Sequence, residues 1–407
     1  MAYNTDVRKV YSDQLEDLKS QGIFKEERAI CAPQDSEIEV EFPIGSEKKK
    51  VINMCANNYL GLSSHPEVVK AAHDGLDVRG YGMSSVRFIC GTQDIHKELE
   101  RKLTEFLGTE DTILFPSCMD ANAGVFEAIL TEQDVMIADR LVHASIIDGM
   151  RLCKAQNDSF KHSDMVHLEE KLQLHQNKRL RMVITDGAFS MDGDLAKMDK
   201  IVELAEKYNA MVFVDDSHAS GYIGKTGRGS HEHFNVLGKI DIITTTLGKA
   251  LGGASGGCIS GRREMIEWLR QKSRPYLFSN TLAPVVAAGT CAVMDLLSAT
   301  TELRDKLERN QRLFRKLMTE AGFDIRKGDH PIVPIMFGKF PNDAPLAQAF
   351  ARKLLDEGIY VIGFSFPVVP RGQARIRVQL SAAHSEEQIR KAVTAFTKVG
   401  KELKVIA

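Results

Sequence analysis

Ala210-Met211-Val212-Phe213-Val214-Asp215-Asp216-Ser217-His218-Ala219 is an apolar run that stops abruptly at two carboxylates, a hydroxyl and an imidazole. A short, continuous run rich in β-branched residues reads as a strand buried on both faces, as in a parallel sheet. Ligands of open α/β sheets sit beyond the carboxyl ends of such strands. Asp215 and His218 therefore stand where a site would form. A second run, Ile240-Asp241-Ile242-Ile243, leads into Thr244-Thr245-Thr246-Leu247-Gly248-Lys249-Ala250-Leu251-Gly252-Gly253. There a single lysine sits among small residues at a strand end, and glycines let a flat group come close. That setting suits a lysine that forms a Schiff base with an aldehyde cofactor. By itself the stretch also reads as a glycine-rich loop with a surface lysine.

Read together, the two segments point to one chemistry. A carboxylate opposite a pyridine nitrogen keeps that nitrogen protonated and improves the ring as an electron sink. Working outward, clear strands are expected at 111–115, 135–139, 181–186, 211–215, 240–246 and 256–260. Helices are expected at 96–107, 119–130, 197–208 and 262–272. This alternation argues for a mostly parallel sheet wrapped by helices. A helical stretch from about Ala283 to Ala321 leads to a smaller α+β unit with strands near 333–337, 361–363 and 374–378. Residues 1–54 read as an N-terminal arm, with helical spacing from Val7 to Lys19 and short strands near 38–42 and 50–54. Lys48-Lys49-Lys50 reads as a solvated turn.

Composition bounds the function. The 407 residues suffice for two or three domains, and a net charge of −2 with no long basic run gives no sign of a nucleic-acid partner. Seven cysteines without close pairing argue against a disulfide framework or a zinc site and fit a reducing compartment. No segment approaches the roughly 20 apolar residues of a membrane helix. The N-terminus, with Asp6, Asp13, Glu16 and Asp17, resembles neither a signal peptide nor an acid-poor transit peptide. No strand is followed by a Gly-x-Gly-x-x-Gly turn, which argues against a dinucleotide-binding oxidoreductase.

Val214-Asp215-Asp216-Ser217-His218 followed by Thr246-Leu247-Gly248-Lys249-Ala250 resembles the pyridoxal-phosphate-dependent α-oxoamine synthases. Asn57-Asn58-Tyr59-Leu60-Gly61-Leu62, Phe189-Ser190-Met191-Asp192-Gly193 and Ala374-Arg375-Ile376-Arg377 carry the same resemblance. It is collinear from about residue 10 to the C-terminus. Three segments, Ser85–Gln93, Ser273–Asn280 and Gln379–His384, lie closest to the branch that joins glycine to acetyl-CoA. The resemblance implies a fold type I α/β transferase. Its parts would be an arm at 1–54, a large domain at 55–289 with a mostly parallel seven-stranded sheet, and a small C-terminal α+β domain at 290–407.

The resemblance also implies the site. Lys249 would hold pyridoxal 5'-phosphate as a Schiff base and act as general base, the carbanion being spread through the ring as a quinonoid. Asp215 would face the ring nitrogen, and His218 would donate to the phenolic oxygen. His143 would stack on the ring and help deliver protons. Cys118, Met119 and Thr246 would surround the phosphate, and Ser190 would lie beside the ring. Asn57 and Arg377 would anchor the glycine carboxylate. Strand alternation puts Arg375 and Arg377 on one face, so geometry does not choose between them, and the family motif selects Arg377. Ser279 and Asn280 would reach the cofactor of a neighbouring subunit, which implies a homodimer with shared sites. No metal is implied.

The implied reaction makes 2-amino-3-oxobutyrate and CoA reversibly, within threonine breakdown, with a functional link to threonine dehydrogenase. The expected compartment is the cytoplasm, or the mitochondrial matrix after loss of a transit peptide. The alternative is a sister synthase making 8-amino-7-oxononanoate, 5-aminolevulinate or 3-ketosphinganine. A catalytically silent subunit on the same fold would be expected to lack Lys249 or Asp215. The run Tyr81–Arg87 is bulkier than the small-residue run of some sister branches and would shape the acyl pocket.

Overall fold

The computed structural model describes residues 5–21 and 24–407. After an exposed helix at Thr5–Ser20 come strands β1 (Ala29–Ile30), β2 (Glu37–Glu41) and β3 (Lys49–Asn53). The central portion holds β4 (Asp111–Phe115), β5 (Val135–Asp139), β6 (Gln156–Phe160), β7 (Arg181–Asp186), β8 (Met211–Asp215), β9 (Ile242–Thr246) and β10 (Gly257–Gly261). The last portion holds β11 (Ile332–Met336), β12 (Ile359–Tyr360), β13 (Gly363–Phe364) and β14 (Arg375–Gln379).

β4 to β10 form one seven-stranded sheet in the order β4-β10-β9-β8-β7-β5-β6. β6, β5, β7, β8 and β9 pair in parallel, whereas β10 runs antiparallel to both β9 and β4. Strand alternation sorts the core into two faces. Phe213 packs with Ile113, Phe126 and Ile184 on one side, while Val212 and Val214 pack with Val183, Leu168 and Ile201 on the other. Each such fully buried side chain contributes about 1.5–3 kcal/mol of transfer free energy. Asp215 shares the face of Phe213, so the end of β8 delivers its carboxylate toward the helix Cys118–Ala123.

Two smaller sheets complete the fold. β11-β14-β13 is antiparallel, and β1-β2-β3-β12 joins the start of the chain to its last third through the parallel pair β3–β12. The large apolar cluster beneath them contains Tyr59, Leu60, Leu251, Phe314, Ile376 and Phe396.

Several expected elements change. The helix expected at 119–130 is two pieces, Cys118–Ala123 and Phe126–Ile129. Gly124 lies in the break, where an added Cβ would crowd Ser273 Oγ at 2.3 Å; a poor helix former thus sits at the close approach of Ser273. The stretch from Ala283 to Ala321 is the helices Pro284–Ala299 and Glu302–Glu320, bent 78° apart. Extended Thr300 makes the corner, its Oγ1 accepting the Glu302 N–H at 3.2 Å. Lys49 and Lys50 are not in a turn; they open β3, where Lys49 pairs with Asp356 and Lys50 with Glu37. The strand expected at 361–363 is split into β12 and β13, which belong to different sheets. β6 was not foreseen: Gln156-Asn157-Asp158-Ser159 is polar because this edge strand pairs only with β5.

Candidate active site

Lys249 lies in the loop between β9 and β10, beyond the carboxyl end of β9. Its amine is 2.9 Å from His218 Nε2. Burial pushes the amine below the usual lysine range, against the opposing pull of Asp215. Burial and the nearby Lys249 charge likewise push His218 well down, so its ring is neutral. His218 Nδ1 is 2.8 Å from the hydroxyl of Tyr59.

Asp215 is 5% exposed. Its Oδ2 accepts the Asn122 amide at 2.7 Å and its Oδ1 accepts the Ser217 main-chain N–H at 3.0 Å. Asn122 is gripped in turn, accepting from Thr244 Oγ1 at 2.7 Å and donating to Ser145 Oγ at 2.8 Å. Ser145 is 2.7 Å from His143 Nδ1, which caps the helix Ala144–Leu152. One hydrogen-bonded network thus runs from β9 through Asn122 to His143, with Asp215 held at the Asn122 branch point. The His143 side is open to solvent, and its main-chain N–H donates to Asp186 Oδ1 at 3.2 Å. Burial and the neighbouring Asp215 push the Asp186 carboxyl well above the usual range.

The turn at Ser117–Met119 lies against β10. A Cβ on Gly257 would meet the main-chain nitrogen of Cys118 at 2.4 Å, so glycine is required for this approach. The first turn of any helix leaves main-chain N–H groups without intrahelical partners, and Met119 is exposed beside them. Cys118 is buried, its sulfur accepting from Ser217 Oγ at 3.4 Å, and burial pushes its thiol well up. Thr246 Oγ1 accepts the Gly248 N–H at 3.1 Å and donates to the Gly256 carbonyl at 3.2 Å.

On the opposite wall, Arg377 is 9% exposed. It donates to the Ser190 carbonyl at 2.9 Å and sits 5.0 Å from the centre of the Phe364 ring. Its buried Nε has no partner. Gln379 faces it and donates to Asn57 Oδ1 and, at 2.9 Å, to Tyr59. Arg375 is engaged elsewhere: it donates to Asp192 at 2.5 Å and to the Met191 carbonyl at 3.1 Å, bracing the loop that carries Ser190.

The structure therefore brings Lys249, His218, Asp215, His143, Cys118 and Thr246 into one connected region, with Asn57, Ser190 and Arg377 facing it. Ser279 and Asn280 follow the short helix Arg274–Phe278. Among the described residues neither shares a hydrogen bond with this cluster, and Asn280 is exposed. Sequence reasoning missed Asn122, Ser145, Asp186, Tyr59 and Gln379. Gln379 had a signal, since it lies two residues after Arg377 on the same strand face.

The donor set fits pyridoxal phosphate. It offers an enclosed amine, a buried carboxylate held by two donors, an imidazole 2.9 Å from the amine, and a glycine-permitted turn. The orphaned guanidinium nitrogen suits an incoming carboxylate. Among the described residues no group of three or more metal-ligating side chains is present.

This fold and site define an aminotransferase-like enzyme: the chain belongs to the family of aminotransferases class I and II, matched over residues 49–396. It is 55% identical over 404 residues to the 2-amino-3-ketobutyrate coenzyme A ligase of Salmonella typhimurium, covering 99% of each chain. It is 51% identical to the mitochondrial human protein of that name, covering 97% of this chain and 92% of the other. An 8-amino-7-oxononanoate synthase of Thermoanaerobacter pseudethanolicus is 44% identical, over 97% of each. The serine palmitoyltransferase of Sphingomonas wittichii superposes with a TM-score of 0.89 at 29% identity, covering 99% of both chains.

Proposed function

We propose that this chain is a pyridoxal-phosphate-dependent acyltransferase that condenses glycine with acetyl-CoA to 2-amino-3-oxobutyrate and CoA, reversibly. The observation that carries this reading is the enclosed Lys249 amine against His218, in a site that also holds the buried, unpartnered Nε of Arg377. The 55% identity to a 2-amino-3-ketobutyrate coenzyme A ligase supports the choice of substrates.

Bound pyridoxal phosphate supplies an electron sink for negative charge developing at the glycine α-carbon. Asp215, pinned by Asn122 and Ser217, would offer a fixed carboxylate to the ring nitrogen. Arg377 and Asn57 hold the glycine carboxylate, and a guanidinium offers it two parallel N–H bonds. The Lys249 amine, once unprotonated, takes the α-proton, and burial favours that unprotonated form by lowering its basicity. The α-carbon then bonds to the thioester carbonyl carbon, the C–S bond breaks, and the thiolate leaves as CoA after taking a proton. His143 and Ser190 flank the acyl group, and His143 hands it protons from the solvent side. Cys118, Met119 and Thr246 would hold the phosphate through main chain and hydroxyl.

The active unit is a homodimer in which Ser279 and Asn280 complete the partner's site. The exposed apolar side chains Tyr81, Phe88, Ile89 and Phe278 support this. They lie on two segments that the structure joins: Thr281 N–H donates to the Ser85 carbonyl at 3.1 Å, and Arg87 sits 5.5 Å from the Tyr276 ring. The reaction belongs to threonine breakdown, downstream of a threonine dehydrogenase, in a reducing compartment such as the cytoplasm or mitochondrial matrix. All seven cysteines are free, and among the described residues no single helix is long and apolar enough to cross a membrane.

A sister activity with a longer acyl chain is the second reading, favoured by the 44% identity to an 8-amino-7-oxononanoate synthase. Steady-state CoA release with glycine, comparing acetyl-, pimeloyl-, succinyl- and palmitoyl-CoA, decides between them. Acetyl-CoA is expected to give the highest kcat/KM. Preference for pimeloyl-CoA would transfer the chain to the second reading.

A further inference from the structure

Tyr59 is 0% exposed and Gln379 is 1% exposed, and their side-chain hydrogen bonds go to His218, Asn57, Arg377 and each other, not to Lys249. Each polar atom between Arg377 and Lys249 has its direction fixed by its neighbours. Arg377 has only donors, so its contact with Gln379 at 3.5 Å orients the Gln379 amide oxygen toward it. The amide nitrogen must then face Tyr59 and Asn57, and it donates to both. With its oxygen accepting from Gln379, Tyr59 has its own proton free for His218 Nδ1 at 2.8 Å. An Nδ1 that accepts leaves the proton of the neutral ring on Nε2, the atom facing Lys249. Tyr222 donates to the His218 carbonyl at 2.5 Å. His330, whose Nδ1 accepts the Ile332 N–H, donates to the same carbonyl at 2.7 Å. The His218 main chain is therefore clamped, while its ring is addressed at Nδ1 by Tyr59 and at Nε2 by Lys249.

We propose that Tyr59 and Gln379 are positioning residues: they fix His218 as its Nε2-protonated tautomer and tie that imidazole to the carboxylate anchor formed by Arg377 and Asn57. The inference rests on the reading above, in which Nε2 of His218 donates to the cofactor's phenolic oxygen. Burial holds the Tyr59 hydroxyl protonated, raised to about 12, so it remains a donor throughout the working range. The other charged or titratable groups acting on His218 are Lys249, Arg377, His330 and His143. None of them reaches Nδ1. The consequence is directional. Arg377 donates to Gln379, Gln379 to Tyr59, Tyr59 to His218, and His218 toward the cofactor. A change at the anchor is thereby felt at the ring oxygen.

The test is the pH dependence of the visible absorbance of cofactor-loaded enzyme, with Tyr59→Phe, Gln379→Glu and the double variant. A donor at the ring oxygen lowers the midpoint of that titration. Tyr59→Phe is expected to move it upward by about one pH unit, the size of one lost hydrogen bond. Gln379→Glu, which keeps an acceptor toward Arg377 but cannot donate to Tyr59, is expected to move it the same way. The double variant is expected to move it no further than Tyr59→Phe alone. An unmoved midpoint in loaded Tyr59→Phe, or additive shifts in the double variant, would overturn the proposal. A second readout needs no substituted Tyr59. Nitrogen-15 histidine spectra of the wild-type holoenzyme, with His218 assigned by its loss in His218→Asn, should show a protonated Nε2 and a bare Nδ1. The opposite tautomer would sink the proposal while leaving the acyltransferase reading intact. Conversely, full turnover by Lys249→Ala would remove that reading without touching the tautomer result.

Discussion

At the residue scale, the site separates two arginines that the sequence places on one strand face. Arg375 spends its donors on Asp192 and Met191, whereas Arg377 keeps a buried nitrogen unsatisfied. A buried unpaired donor carries a desolvation penalty of about 1–3 kcal/mol that an incoming carboxylate relieves. Arg377→Lys preserves charge but loses the planar fork. Steady-state kinetics should show glycine KM rising about 10- to 100-fold, with acetyl-CoA KM little changed. An unchanged glycine KM would place the carboxylate elsewhere. Lys249, Asp215 and His218 were legible in the sequence because each follows an apolar run that marks a strand end. Asn122, Ser145 and Tyr59 were not. They act on atoms far away in sequence, Asn122 on Asp215 and Tyr59 on His218, and an isolated asparagine or tyrosine advertises no partner.

At the element scale, strand positions in the large sheet were readable because seclusion on both faces leaves an uninterrupted apolar run. Edge strand β6 was hidden by the converse: its solvated positions carry Gln156 and Asn157. Helix breaks at Gly124 and Thr300 depend on neighbours, Ser273 in one case and a sharp change of direction in the other, and local periodicity passes straight over them. The loop holding Phe88 and Ile89 is stiffened from within. Buried Arg87 pairs with Glu100 at 2.8 Å and donates to Thr92 Oγ1 at 3.0 Å. A rigid loop presenting exposed apolar side chains is suited to a subunit contact. Phe88→Asp combined with Ile89→Asp should convert a dimer to a monomer in sedimentation equilibrium and lower turnover by at least about 10-fold. A dimer that survives both substitutions would move the interface away from this loop.

At the scale of the whole molecule, histidines set opposite limits on stability with pH. Burial opposes charge on His162, but its bonds to Asp139 at 3.0 Å and Asp194 at 2.8 Å outweigh that and raise it to about 10. The folded value lies above the unfolded one of about 6.5. Its contribution is therefore complete below about pH 6.5 and lost as pH rises through about 10. His330 and His384 behave inversely. Burial lowers both to about 4, so their contribution is present above about pH 6.5 and lost as pH falls through about 4. Melting temperature should therefore decline on both sides of neutrality. His162→Gln should lower it at pH 7 and flatten the decline between pH 7 and 10. An unchanged alkaline slope would show that the imidazolium clamp contributes nothing.

The pairing of β3 with β12 has a consequence for how the polypeptide is born. Ile52 lies beside Ile359 and Asn53 beside Tyr360, so the outer rim of β3 has no mate until most of the message has been read. At roughly 5–20 residues per second, the wait is on the order of 15–60 s. Throughout it, Ile38, Val40 and Val51 lack Leu355, the side chain that closes their small apolar cluster. A ribosome stalled before Gly358 would hold a nascent chain whose leading strands present an open edge, and emergence of β12 is the event that seals it.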